Sequence, residues 1–437
     1  WYADDASACG KVGPVREWLN ALIQDGPMYG YYPEPSKSIV IVKDGKLEEA
    51  RAAFAGLDME FVEASRFLGG FLGKEDAVRH LLEEKVRKWV EAVEDLVEAA
   101  EVYPQDAYMC FIKSLQCEWG YVQRVVEGAA EAVDPLDKAI QDKFLPAVFG
   151  REMLSWEKEL VKAAVKRGGL GIRCPTETAK DAYQMSVEGT AKMVEAVRQG
   201  TDLVEEEHND QLREVRREMK ARWEKEEEEN VERLVADLPK RPKRALERVR
   251  KENMSGWLTV GPSKQYGFDL SREMFRDRLN LRHGQELRGL PSVCDGCGAP
   301  FSLEHALNCM KGGNIKLGHG QVRDECDLRA DFLPIGVWER QRVAFFDNRI
   351  LDADAPSRFD RNTTYVTAMR AAVQEKKTRY LERCEEMAGS FTPLGKSYEE
   401  VMCWVRIRLQ FALIRAVDLR LRGSRMRFHG AGFSDGA

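Results

Sequence analysis

Three groups of residues in this 437-residue chain have the types and spacing that chemistry needs. The first is Tyr2-Ala3-Asp4-Asp5, where adjacent carboxylates at a turn offer hard oxygen ligands to Mg²⁺ or Mn²⁺. Two such ions roughly 3.5–4 Å apart would activate a 3′-hydroxyl and steady a leaving pyrophosphate, which is the chemistry of phosphoryl transfer. The second is Cys294-x2-Cys297-x7-His305-x3-Cys309, three thiolates and an imidazole that fill a tetrahedral Zn²⁺ and leave no position for water. Gly296 and Gly298 flank Cys297 and allow the tight turn that brings two sulfurs to one metal. A site closed in this way builds structure and does not catalyse.

A third set of side chains follows the cysteines. Asp331 in Arg329-Ala-Asp331 and Asp347 in Val343-Ala-Phe-Phe-Asp347 each lie on a β-like run, and two strand-borne acids can hold the metal of a nuclease. The accompanying cation is Arg349 or a lysine of Glu375-Lys376-Lys377-Thr-Arg-Tyr380. Lysine is preferred, because its compact charge has a tunable pKa whereas arginine stays protonated and clamps phosphate. Against this stands a plainer reading, in which both aspartates are exposed strand ends paired with Arg329, Arg340 or Arg349.

The elements that must position these residues are mostly helical. A β-like run, Ser38 to Val42, lies between Gly30 and Pro33 before it and Asp44-Gly45 after it, and is expected to form a hairpin. A second such piece carries Phe67-Leu68-Gly69-Gly70-Phe71-Leu72-Gly73. From Glu75 to about Ala100 the apolar residues recur at helical spacing, and helices are expected to about Gly150 and, broken at Gly168-Gly-Leu-Gly171 and Pro175, to residue 200. Residues 201–252 are dense in charge at helical pair spacing and read as a solvated connector interrupted at Pro239 and Pro242. Short β-like runs are expected at 328–333 and 343–351, then helices at 365–387 and 398–421. The last helix has Val405, Leu409, Ala412, Leu413, Ala416, Leu419 and Leu421 on one side and arginines on the other, as suits a docked helix or a strip against a DNA backbone.

Composition bounds the class. A charged fraction of 32% with no apolar run long enough to span a bilayer excludes an integral membrane protein built from helices. The ten cysteines, three of them at metal-ligand spacing, favour a reducing compartment with one zinc site over a disulfide framework. The net charge of -6 excludes a uniformly basic protein and makes any phosphate contact local, with Arg323, Arg349, Arg406 and Arg408 as candidates. The chain opens at Trp1 with no leader pattern and reads as a fragment or processed product.

The order of these motifs resembles the C-terminal part of a non-LTR retrotransposon reverse transcriptase. Tyr2-Ala-Asp-Asp5 is followed by Gly30-Tyr-Tyr, Ser36-Lys37-Ser38 before a β-run and the Phe67 to Gly73 segment, and Gly168-Gly-Leu-Gly171-Ile172 looks like the glycine-rich segment after the thumb. The resemblance implies that Asp4 and Asp5 are catalytic, that Tyr2 and Lys37 lie beside the incoming nucleotide, and that Leu68-Gly69 is the primer grip. Elements with restriction-like endonucleases carry a Cys-Cys-His-Cys cluster between thumb and nuclease, preceded by segments like Trp257 to Pro262 and Phe275 to Arg282. Asp331, Asp347 and Lys376 or Lys377 then take the nuclease roles, although Ala330 stands where that family usually has proline and Arg349 where many nucleases of this fold have lysine.

The implied architecture is multidomain, mainly α with α+β parts: a partial palm with primer grip (1–75), a helical thumb and post-thumb region (76–200), a charged helical connector (201–256), a linker with the zinc knuckle (257–315), a small α/β restriction-endonuclease-like domain (316–425) and a tail (426–437). The implied activity is RNA-directed DNA synthesis with DNA cleavage in target-primed reverse transcription. It would use Mg²⁺ or Mn²⁺ with structural Zn²⁺, and act on the element's RNA and target DNA in the nucleus after a cytoplasmic ribonucleoprotein stage. The family's third catalytic aspartate and fingers precede the Tyr-Ala-Asp-Asp, so the polymerase site within this chain is expected to be incomplete. The alternative is a catalytically decayed protein that only binds nucleic acid, through zinc and arginines.

Overall fold

Leu82, Val86, Trp89 and Val93 recur on one face of a continuous helix, Glu75–Val102, and all four are buried. That face organises the first of two compact units into which the chain divides, made of residues 1–96, 110–144 and 173–225. In the computed structural model the described residues are 6–251, 255–311 and 399–423, with two short strands at 343–345 and 389–391 and single helical positions between 367 and 378. The described chain is mainly helical, with only six short strands.

In the first unit the core is aromatic. Phe111 stacks on Phe144 at 4.6 Å between ring centres, Trp119 meets Phe111 and Trp89 edge-on at 5.9 and 6.0 Å, and the Trp89 indole donates to Glu118 at 3.0 Å. Pro175–Gln199 packs beside the helices of residues 116–132, and Gln123 closes the contact by donating to the Pro175 carbonyl at 2.9 Å. The run at Ile39–Ile41 does not form the expected hairpin. It pairs in parallel with Glu60–Val62, because the intervening chain folds as the crossover helix Leu47–Ala53, whose buried Ala50 and following Phe54 fill the space beside Phe61. The next segment is an antiparallel hairpin, Ala64–Phe67 with Gly70–Gly73, turned by Leu68 and Gly69.

The second unit comprises residues 97–109, 145–172 and 226–437. Its centre is the helix Arg272–Arg282, started by Ser271, whose hydroxyl accepts from the Met274 N–H. Phe275 and Leu279 are buried, with Phe275 against the rings of Tyr108 and Trp257. Gln105 ties the preceding loop down from both ends of its amide, donating to the Phe268 carbonyl and accepting from the Leu270 N–H, each at 2.8 Å. The same unit holds an ionic group built on the buried Glu157 and His283. Glu157 accepts two hydrogen bonds from Arg151 at 2.7 and 2.5 Å and one from His283 Nδ1 at 3.0 Å, and His283 is enclosed by the rings of Phe149 and Trp156.

The charged segment is less solvated than its composition implies. Glu205–Ala236 is one helix, but Met219, Val231 and Val235 are buried, and the last two join Leu160, Ala163 and Leu246 in a hydrophobic cluster. The break at Pro239 falls as expected, whereas Pro242 lies in the first turn of the next helix, Lys240–Lys251, where its missing N–H costs nothing. The C-terminal helix Glu399–Arg422 is docked: Phe411, Ala412, Ile414 and Ala416 are buried, with Phe411 stacked on Phe268 at 5.1 Å. Among the described residues no helix is long and apolar enough to cross a membrane.

Candidate metal centre

Cys294 and Cys297 lie in a miniature hairpin. The Cys294 N–H donates to the Ala299 carbonyl at 2.8 Å, the Gly298 N–H returns to the Cys294 carbonyl at 2.9 Å, and Val293 bridges Pro300 across the ladder. Gly298 closes the turn at φ +74°, a conformation that glycine adopts without a Cβ penalty. His305 and Cys309 come from the next element. Ser302 caps the helix Leu303–Asn308 by accepting from the His305 N–H at 3.1 Å, which fixes His305 in the first turn. Cys309 follows the last turn, its N–H bonded to the His305 carbonyl at 2.8 Å, so the two ligands are one helical turn apart on one face.

The four ligand atoms lie within 4.8 Å of one another. Tetrahedral zinc with Zn–S near 2.3 Å and Zn–N near 2.0–2.1 Å requires sulfur–sulfur edges of about 3.8 Å and sulfur–nitrogen edges of about 3.6 Å. The sulfurs of Cys294 and Cys309 are 3.8 Å apart, those of Cys309 and Cys297 4.0 Å, and Cys297 Sγ is 3.3 Å from His305 Nε2. The cluster therefore fits a Zn²⁺ held by four protein ligands. Burial opposes ionisation of Cys294, but backbone N–H groups of Gly296 and Cys297 and the His305 ring outweigh it and bring the thiol down to about 6. Cys297 moves the other way. The Ala299 N–H favours its thiolate, while burial and the Cys294 and Cys309 sulfurs together raise its pKa. Thiolate is the form that binds metal, and a bound cation would favour it at all three cysteines.

Three further sequence candidates, Lys37, Leu68 and Gly69, belong to the first unit. Lys37 closes a short 3-10 turn in solvent, paired with Glu34 at 2.7 Å, and that hydrogen bond and charge raise its pKa. Leu68 and Gly69 form a turn in which both residues have positive φ, +46° and +84°, as the tightest right-twisted hairpins require. Leucine rarely takes that conformation. Here the Tyr121 hydroxyl donates to the Leu68 carbonyl at 2.6 Å, and the Tyr121 ring lies 3.1 Å from where a Cβ on Gly69 would be. Tyr2, Asp4, Asp5, Arg323, Asp331, Asp347, Arg349, Lys376 and Lys377 lie outside the described residues. Arg406 and Arg408 are on the C-terminal helix, their side chains likewise outside the description. Neighbouring arginines of that helix serve the docked role: Arg415 donates to the Gly267 and Asp269 carbonyls, and Arg422 forks onto both oxygens of Asp277 at 2.8 and 2.9 Å.

Sequence reasoning missed the Arg151, Glu157 and His283 group, in which Glu157 and His283 are 126 positions apart. The local sequence carried no signal for it: the Glu157 carboxylate accepts from the Leu154 N–H at 3.1 Å, but leucine stands where the Ser/Thr-x-x-Glu capping pattern needs a hydroxyl. Comparison with known proteins adds no relative: no family model, curated protein or solved structure matches this chain.

Proposed function

We propose that this chain handles nucleic acid as the C-terminal part of a non-LTR retrotransposon reverse transcriptase, with a structural zinc knuckle standing before a metal-dependent DNA endonuclease. The observation that carries the reading is the closed Cys294, Cys297, His305, Cys309 cluster, whose distances fit four-coordinate zinc. Its place after a largely helical region is the order those elements use. The Leu68-Gly69 turn, clamped by Tyr121, is a rigid tip of the kind a primer terminus needs, and so supports the primer-grip role. In this reading Asp331 and Asp347 bind Mg²⁺ or Mn²⁺ for strand cleavage, a lysine at 376 or 377 steadies the phosphate, and Asp4 and Asp5 belong to the polymerase site.

Supercoiled plasmid nicking separates this reading from a protein that only binds. The chain is incubated with plasmid and Mg²⁺ or Mn²⁺ beside the Asp331→Ala/Asp347→Ala double variant. Nicking by the first and none by the second is expected. Equal nicking by both proteins, or by neither, removes the nuclease assignment and leaves zinc-dependent binding as the function.

A further inference from the structure

In the first unit the helix Pro175–Gln199 changes surroundings half-way along its length. Up to about Ser186 one face lies against the helices of residues 116–132. Pro175 and Ala179 are buried there, the Gln123 amide donates to the Pro175 carbonyl at 2.9 Å, and the Tyr183 hydroxyl donates to Glu127. Past Ser186 the same face carries Val187, Thr190, Val194 and Val197, and the three valines are 50, 43 and 79% exposed. Met193 beside them is 41% exposed. The other side of this half is taken by residues 207–212 of the next helix. Leu212 comes within 2.9 Å of where a Cβ on Gly189 would lie, Gln211 donates to the Glu188 carbonyl at 2.9 Å, and Lys192 pairs with Glu207 at 2.9 Å.

Tyr183, Val187, Thr190, Val194 and Val197 alternate at intervals of four and three, the spacing of a helix–helix seam. Valine is a poor residue for a solvated helix face, because its branched side chain loses rotamer freedom there and gains no burial in return. Thr190 turns its hydroxyl back to the Ser186 carbonyl at 2.9 Å, so its polar atom is satisfied within the helix. The positions that flank the seam, Gln184, Ser186, Ala191 and Met193, are uncharged, and the next is Arg198, which has no ion pair or hydrogen bond among the described residues. At the other end of the seam Glu188 accepts from the Gln184 amide at 2.7 Å. The bare face thus carries a cation at one end and an acid at the other, with apolar side chains between them.

We propose that the face from Val187 to Val197 docks a second copy of this chain, the two helices lying antiparallel about a two-fold axis near residues 191–192. That arrangement sets Val187 against Val197 of the second copy and Thr190 against its Val194, and it brings each Arg198 to the Gln184 and Glu188 of the other copy. The charges at the two ends are complementary only when the helix meets itself reversed, which selects another copy of this chain as the occupant. A seam of about three turns is short, and it buries less than the roughly 1,200 Å² of a standard interface, so the dimer is weak and depends on concentration. Association through this face is independent of the nucleic-acid reading.

Sedimentation velocity of the full chain, from about 1 to 200 μM, is the test. A monomer–dimer equilibrium with a Kd on the order of tens of micromolar is expected. Val194→Glu/Val197→Glu places four carboxylates in the seam and should weaken association by at least about a hundred-fold. Both side chains are exposed, so the thermal midpoint of that variant should stay close to the parent's. Arg198→Glu should weaken the dimer about five-fold, and Glu188→Arg added to it should restore the parent affinity, an exchange that a merely structural role for either residue would not produce. A chain that stays monomeric throughout the series, or a dimer indifferent to the double glutamate variant, would overturn the proposal. A dimer lost in that variant but not restored by the charge exchange would overturn the antiparallel pairing.

Discussion

Replacing Glu157 with glutamine should remove a large, pH-dependent share of the second unit's stability. The carboxylate is fully buried and receives hydrogen bonds from Arg151, His283 and the Leu154 N–H. Burial alone would raise its pKa, yet the Arg151 fork and the His283 ring overcome that and hold it down at about 2. Relative to an ordinary glutamate near 4.3–4.5, that depression corresponds to on the order of 3 kcal/mol, present above the unfolded pKa and lost as pH falls from about 4.5 towards 2. Breaking a buried pair by removing one partner costs about 3–5 kcal/mol, so two independent routes agree on the scale. His283 adds an earlier step. Burial lowers its pKa, so its stabilisation is complete above about 6.5 and declines as the unfolded ring takes up a proton below that. Hydrogen exchange of peptides spanning residues 151–160, read as the free energy of local opening, reports both steps. Glu157→Gln should lose roughly 3 kcal/mol at neutral pH and show no further decline between pH 4.5 and 2 of the parent's kind. A loss under about 1 kcal/mol, or a variant whose acid profile parallels the parent's, would mean that the buried Glu157 carboxylate does not carry this stability.

Leu68→Gly should stabilise the first unit by about 1 kcal/mol in urea unfolding, because it relieves a left-handed leucine while leaving the carbonyl bonded to Tyr121. A decrease would mean that the half-exposed leucine side chain holds the hairpin down. Gly169→Ala should be severely destabilising, on the order of 3 kcal/mol, since its Cβ would fall 1.9 Å from the Ala163 carbonyl oxygen; a thermal midpoint within a degree or two of the parent would contradict the tight turn at 163–172. Removing zinc with a chelator should raise hydrogen exchange across residues 292–309, where folding of the small hairpin and helix depends on the shared metal, and leave the Glu75–Val102 helix protected.

Much of this arrangement was legible in the chain itself, for physical reasons that differ by element. Glu75–Val102 was readable because its core contacts are made by one periodic face, and the Cys294, Cys297, His305, Cys309 cluster because metal coordination calls for short, fixed spacings. The Phe67 to Gly73 segment announced its turn through paired glycines, although nothing in the sequence showed that leucine would take the first left-handed position. The parallel pairing of Ile39–Ile41 was not readable, because a three-residue apolar run carries no information about its partner. Glu205–Ala236 misled for a related reason: charge at helical pair spacing masks three buried residues in a helix of 32, and burial of Val231 and Val235 depends on Leu160 and Leu246 arriving from elsewhere.

Metal content with cobalt replacement decides whether Cys294, Cys297, His305 and Cys309 form a closed structural zinc centre. The purified chain should carry one tightly held Zn²⁺, and the Co²⁺-substituted protein should show the intense visible bands and thiolate charge transfer of a four-coordinate three-sulfur, one-nitrogen site. Those bands should be unchanged by added imidazole or cyanide, because no position is open, and should be lost in Cys309→Ser. A chain that purifies without zinc and binds none, or a cobalt spectrum that shifts when an external ligand is added, would contradict the account.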